Sequence, residues 1–459
     1  MRAQTSWREG WLRRFALHRE ASAAVVRLAY PVSLGMLSFT LLTVVDTAML
    51  GRLGSTPLAA SGVAGVLFFA IAFPLSGMSI GIQALVARRF GEGDPQQCGQ
   101  ILSAGLLLSL GLGVPVAVAS HGAATVSGPI LSSDPAVITL GTEYLHLRLF
   151  GTAFMLASMV YRGFFAGIGH TRHQMWGAIL VTAVNVLLDY ALIFGRLGLP
   201  ELGVRGAAIA STVAQGAGML YFLGVSLRAK YRVPYSVGWR LGRGVRWLRP
   251  TVRLSLPVLG QRIVSNGSWF AFFTVVARIG TIELAATNVM RSIYHLSIMP
   301  AFGFATAAAT LIGQELGARR PEAAERYGWE AAKLSAYMLA AVGLLFLAFP
   351  RAIFLIYTND LSVIDAGTLP LRILGPIQAF GGLAIVLTQA LQGAGCTRFV
   401  MVSEIAVCLG LYLPAVFFLG LRTPLGLVGA WTGEYLYWGA LALIMGLMFR
   451  RGTWKGVRI

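Results

Sequence analysis

The sequence predicts an all-α polytopic membrane protein, with twelve transmembrane helices in two parallel-repeat six-helix bundles around a central cavity. Three observations carry that expectation. Of 459 residues, 56% are hydrophobic and only 12% are charged, with a mean hydropathy of +0.71, whereas a soluble domain carries about 25% charged residues. Apolar segments long enough to cross about 30 Å of hydrocarbon recur along the whole chain. The second half of the chain also repeats the first.

The first six spans are expected at 25–50, 57–86, 99–120, 138–166, 174–195 and 204–227. In the first, Asp46 is set in the middle of the run TLLTVVDTAML. FGEGDP at 90–95 forms the turn between the second and third spans, and GIGHTR at 167–172 the turn between the fourth and fifth. The next six are expected at 252–277, 284–313, 328–349, 367–392, 399–420 and 425–449. The division that follows is an N-terminal segment 1–24, a first bundle 25–227, a linker 228–250, a second bundle 251–450 and a tail 451–459.

Basic residues concentrate in alternate connections, which by the positive-inside rule puts both termini in the cytoplasm. The densest stretch, RAKYRVPYSVGWRLGRGVRWLRP at 228–250, suits an anionic cytoplasmic leaflet. The formal charge of +19 does not imply nucleic acid, because no folded RNA- or DNA-binding module fits in these loops. Trp7, Trp11, Leu12 and Phe15 fall at helical spacing among Arg8, Arg13 and Arg14, as in a helix lying on the membrane surface. Three widely spaced cysteines suggest neither a disulfide framework nor a zinc site. The pair His170 and His173 lacks a third ligand for a metal.

The duplication is read without gaps. LAYPV at 28–32 aligns with LSLPV at 254–258, RLGSTPLAA at 52–60 with RIGTIELAA at 278–286, FGEGDP with LGARRP at 316–321, and AGIGHTR at 166–172 with QGAGCTR at 392–398. An even number of spans per copy makes the repeats parallel, related by an axis along the membrane normal. The copies differ where chemistry is expected: Asp46, Asn185 and Asp189 face Phe272, Leu411 and Ala415 in the alignment.

A carboxylate in the membrane interior costs roughly 2.5–3.5 kcal/mol on insertion scales and marks an ion pathway. At 1.5 Å per residue, Asp46 lies about 8 Å below the outer end of its helix, Asp189 about 9 Å and Thr212 about 13 Å, so these residues and Asn185 can meet at one depth. Two neighbouring carboxyls in low dielectric do not both stay ionised cheaply, and one is expected to hold a proton. Na⁺ is the alternative, held by carboxylate, amide and hydroxyl oxygens. Thr212 taken alone reads more simply as bonded to backbone. Pro31, fifteen residues before Asp46, is a candidate conformational hinge, because proline removes a helix hydrogen bond.

These residues also carry a family resemblance. LAYPVSLGMLSFTLLTVVDTAMLGRLG, the ARRFGEGDP and ELGARRP turns, and AVNVLLDYALIFG followed by GVRGAAIAST resemble a multidrug and toxic compound extrusion (MATE) transporter. The resemblance runs from about residue 25 to near the end, and within the family it is similar to the DinF-like (DNA-damage-inducible protein F) branch. It implies an ion-linked site in the first bundle formed by Asp46, Asn185, Asp189 and Thr212, with Ala208 supplying a carbonyl if a cation binds and Pro31 bending. The second-bundle acids of the NorM-like branch have Ser265 or Asn266 and Gly381 near their places. Arg162 stands where many relatives have an amide.

A possible second polar locus, Arg262, Arg291 and Glu434, reads as structural ion pairing in the second bundle, and Glu404 as snorkelling to the inner interface. The expected function is a monomeric exporter in the plasma (inner) membrane, without cofactor, that expels amphipathic, often cationic compounds in exchange for H⁺ or Na⁺. No P-loop points to ATP. A lipid-linked precursor flippase would need several cationic residues along a cavity. An intramembrane enzyme would need a nucleophile elbow, an HExxH helix or a partnered histidine, and the sequence has none.

Overall fold

A bilayer offers no water to backbone N–H and C=O groups, so a spanning chain must satisfy them within its own helices. The computed structural model describes residues 17–131, 134–238 and 241–459, and no strand occurs among them. The expected surface helix around Trp7, Trp11, Leu12 and Phe15 lies outside the described residues.

The first repeat contains α1 (Arg19–Gly51), α2 (Ser55–Gly91), α3 (Pro95–Leu131), α4 (Pro135–Phe150 and Thr152–Gly167), α5 (Arg172–Ile193) and α6 (Gly203–Ser226). The second contains α7 (Val245–Ile279), α8 (Thr281–Gly317), α9 (Pro321–Ala348), α10 (Leu361–Gly393), α11 (Thr397–Leu421) and α12 (Gly426–Arg451). Among the described residues, nine of these pass as membrane spans on length and apolarity, and the two halves of α4, bent by 43° at Gly151, make a tenth. The remaining two, α7 and α12, are 35 and 26 residues long. The protein is therefore a multi-pass membrane protein.

The duplication is visible in the turns. Gly93 closes α2 with φ 77°, its N–H donating to the Phe90 carbonyl at 3.1 Å while the Asp94 N–H donates to Arg89 at 3.0 Å. This pair of bonds satisfies carbonyls that the helix end leaves open. At the equivalent place after α8, Arg319 has φ 59°, with its N–H on Leu316 at 3.2 Å and that of Arg320 on Glu315 at 2.8 Å. Asp134 accepts from the Ala136 N–H at 2.9 Å to start α4, and its counterpart Asp360 accepts from Ser362 at 2.9 Å to start α10. The copies differ elsewhere. The break in α4 has no equivalent in α10, and the second copy alone carries a π-turn, Cys408–Tyr412 in α11.

The chain forms two compact units. One comprises Met1–Ser33, Ser268–Ala394 and Ser403–Val457; the other comprises Leu34–Gly267, Gly395–Val402 and Arg458–Ile459. Helices α1, α7 and α11 are each divided between units, and the 228–250 stretch belongs wholly to the second. Packing explains this. Tyr231 and Tyr235 are buried against Phe164 and Phe165, and the Trp247 indole donates to Gln100 at 3.3 Å, so the stretch is part of a core rather than a free linker. The first 15 described residues of α1 belong to the other unit, where the Ser33 hydroxyl donates to the Pro300 carbonyl at 3.1 Å and buried Glu330 accepts from the His18 N–H and the Ser22 hydroxyl, both at 2.6 Å.

An L-residue in the left-handed region pays roughly 1 kcal/mol that glycine does not. Arg319→Gly should therefore raise, and Gly93→Ala lower, stability by about 0.5–1 kcal/mol. Thermal unfolding of the detergent-solubilised protein checks this, and the two substitutions should move Tm in opposite directions.

Candidate functional site

Helix α1 satisfies most of its own polar side chains. The hydroxyls of Thr40, Thr43 and Thr47 donate to carbonyls one turn back, at 3.3, 3.1 and 2.8 Å. A carboxylate has no hydrogen to offer its own helix, so Asp46 must find its partner elsewhere.

That partner is on α5. Asp189 is fully buried and Asn185, one turn earlier on the same face, is 2% exposed. The Asn185 amide donates to Asp189 Oδ2 at 3.0 Å. The carboxyl groups of Asp46 and Asp189 neighbour each other closely enough for each to act on the other. No N–H or O–H of another residue reaches Oδ1 of either one, although both atoms are shielded from solvent. Two carboxylates cannot donate to each other, so a pair of this kind calls for a shared proton or a cation.

The other residues of the set are near but differently engaged. Ala208 is fully buried on α6. Thr212, one turn further along, donates its hydroxyl to the Leu147 carbonyl of α4 at 2.9 Å. Gly151, where α4 breaks, is what allows this approach: a Cβ there would lie 2.9 Å from the Thr212 side chain. Pro31 is buried within an uninterrupted α1, two residues before the helix passes from one compact unit to the other.

Two neighbours escaped the sequence reading, and both are on α4. Tyr144 packs on Leu50, Ile193 and Ala207, and Arg148 lies one turn beyond it. The Arg148 guanidinium sits 4.3 Å from the centre of the Phe68 ring, and its Nε is buried without a hydrogen-bond partner. A basic residue inside the 138–166 span was itself the available signal.

In the second polar locus, Glu434, 2% exposed, accepts from the Trp438 indole at 2.8 Å and the Tyr294 hydroxyl at 3.5 Å. Aromatic donors occupy the oxygens that an arginine was expected to fill. Arg291 lies 5.9 Å from the Phe273 ring centre, Arg262 4.6 Å from that of Phe73, and Arg162 4.6 Å from that of Phe39. Glu404 is buried rather than snorkelling, with the Tyr437 hydroxyl at 3.2 Å. At the inner ends of α4 and α5, His170 Nδ1 and His173 Nε2 both meet the Tyr231 hydroxyl at 2.8 Å. Burial and the Lys230 charge hold the His170 imidazole below its ordinary value.

A duplicated helical membrane protein with a neighbouring acid pair in one repeat has the make-up of a membrane carrier. The MatE family model matches the chain twice, over residues 31–191 and 257–417, and the chain belongs to that family, the MATE transporters. It is 26% identical over 449 residues to a probable multidrug resistance protein NorM of Thermotoga maritima, covering 95% of this chain and 94% of the relative. It is 29% identical over 437 residues to the probable NorM protein of Synechocystis sp., covering 92% and 93%. A solved outward-facing multidrug resistance MATE transporter of the MOP superfamily has the same fold, with a TM-score of 0.88 at 23% identity over 97% of this chain and 98% of that one.

Glu434→Leu would leave the Trp438 indole and the Tyr294 hydroxyl without their acceptor. Each lost partner costs about 1–3 kcal/mol. The variant should unfold at markedly lower temperature than wild type, and Glu434→Gln, which keeps an acceptor oxygen, should lose less.

Proposed function

We propose that the chain is a secondary active multidrug efflux transporter that exports amphipathic, often cationic organic compounds in exchange for H⁺ or Na⁺. The observation that carries this reading is the Asp46–Asp189 acid pair inside a membrane bundle of a MATE protein. Relatives named for multidrug resistance support the export of drugs. The pair's restriction to the first repeat, with Phe272 and Ala415 at the equivalent positions, supports placement in the DinF-like branch. The transporter works as a monomer in the plasma (inner) membrane, with both termini in the cytoplasm beside an anionic leaflet and without cofactor or nucleic acid.

Loading the pair changes the charge of a low-dielectric site by one unit. An inward gradient supplies about 2.3 kcal/mol per charge per 100 mV, enough to bias two states a few kcal/mol apart. Ion entry near the outer end then favours release of the bound compound. The change of unit two residues after Pro31 supports a hinge there, since the helix lacks one backbone hydrogen bond where its packing partners change.

In proteoliposomes with imposed ion gradients, Asp46→Asn and Asp189→Asn should each lower drug export at least tenfold while leaving folded protein in the membrane. Phe272→Leu, in the apolar core of the other unit, should not. Wild-type export by either Asn variant sinks the coupling role. Pro31→Ala should slow export several-fold and leave ion binding intact; loss of ion binding with normal transport rates would show that Pro31 is not a hinge.

A further inference from the structure

The position of Arg148 follows from helix register. Successive membrane spans alternate in direction, so α1 and α5 run one way and α4 the other. Tyr144 packs against the cluster that holds Leu50 of α1 and Ile193 of α5. One turn along each helix from that cluster, in the same absolute direction, leads from Leu50 to Asp46, from Ile193 to Asp189 and from Tyr144 to Arg148. Helix α6 agrees: it brings Thr212 onto the carbonyl of Leu147, the residue before Arg148. The guanidinium is therefore at the depth of the acid pair, held over Phe68 of α2, and its charge acts on both carboxyls. No carboxylate lies within 4.0 Å of it among the described residues, so it is a neighbouring charge rather than a salt-bridge partner.

We infer that Arg148 is a tethered cation that makes the acid pair a proton site and excludes Na⁺. This rests on the coupling role proposed above for Asp46 and Asp189. Three features of the geometry favour the proton. The two carboxyls neighbour each other and no N–H or O–H reaches Oδ1 of either, an arrangement that a shared proton completes. Asn185 turns its N–H, not its oxygen, towards Asp189. The Thr212 hydroxyl is spent on Leu147 rather than aimed at the pair. A Na⁺ ion would need those oxygens turned inward and would have to sit beside a guanidinium. A proton needs neither, and with one proton aboard the remaining carboxylate balances Arg148, leaving the site neutral.

The charged and titratable groups that face the pair are Arg148 and Tyr144 from α4. Helix α6 contributes Thr212 and Ala208, and α2 contributes Phe68, none of which titrates. His146, two residues from Arg148, turns instead to the Ser120 hydroxyl of α3 at 3.0 Å.

Arg148 acts on the exchanged proton through the carboxyls, so it is a positioning residue, and the test reads ion dependence and pH profile as well as rate. Drug export is measured in proteoliposomes under a proton gradient without Na⁺, and under a Na⁺ gradient at equal pH. Wild type should run on the proton gradient alone, with the Na⁺ gradient giving less than a tenth of that rate. Arg148→Met should lose proton-driven export at least tenfold near neutral pH, shift its pH optimum to the alkaline side because the carboxyls release their proton less readily without the cation, and gain a response to Na⁺. Arg148→Lys should keep the wild-type ion dependence.

Na⁺-driven export by wild type at equal pH would overturn the inference, and this holds even if Arg148→Met does not fold. An unchanged pH profile and ion dependence in a folded Arg148→Met variant would overturn it as well. If Asp46→Asn and Asp189→Asn abolish export while Arg148→Met behaves as wild type, only the role of Arg148 falls. If the Asn variants export normally, the coupling role itself has failed.

Discussion

The juxtaposition of Asp46 and Asp189 is the constraint on which the first repeat is organised. Neighbouring carboxyls in low dielectric cannot both be ionised without a large penalty, and neither can be left unpartnered in a membrane. The surrounding elements answer those two demands. Helix α5 supplies Asn185 as a donor, and the break in α4 at Gly151 admits α6 close enough for Thr212 to bond to α4. Phe68 gives the Arg148 guanidinium an aromatic face to rest on.

Duplication supplied the scaffold, and divergence supplied the site. The second repeat keeps the turn geometry of the first, down to the aspartate caps Asp134 and Asp360 and the left-handed residues Gly93 and Arg319. Where the first repeat has Asp46, the second has Phe272, fully buried and packed edge-on against Trp431 at 5.1 Å. The second repeat does bury an acid of its own, Glu434, but holds it with donors from Trp438 and Tyr294. Those donors leave it little reason to exchange its partners, which is the behaviour of a structural polar group.

The sequence by itself determined the membrane class, the spans, the repeat and the identity of the acids, because each is written locally. Long apolar runs admit only helices in lipid, the turn residues recur at one offset, and an aspartate inside TLLTVVDTAML stands out against its neighbours whatever the fold. Only the tertiary structure decided what each polar group meets. Thr212 taken alone reads from sequence as bonded to its own helix, yet it reaches α4. Glu434 reads as part of an ion pair, yet it is held by aromatic donors. Arg148 passed unnoticed because its meaning depends on the rotation and depth of α4 relative to α1 and α5. Those quantities are set by how side chains far apart in the chain pack together, and hydrophobic pattern leaves them free: any rotation that buries the same small and apolar residues between helices is equally consistent with the sequence of a single span.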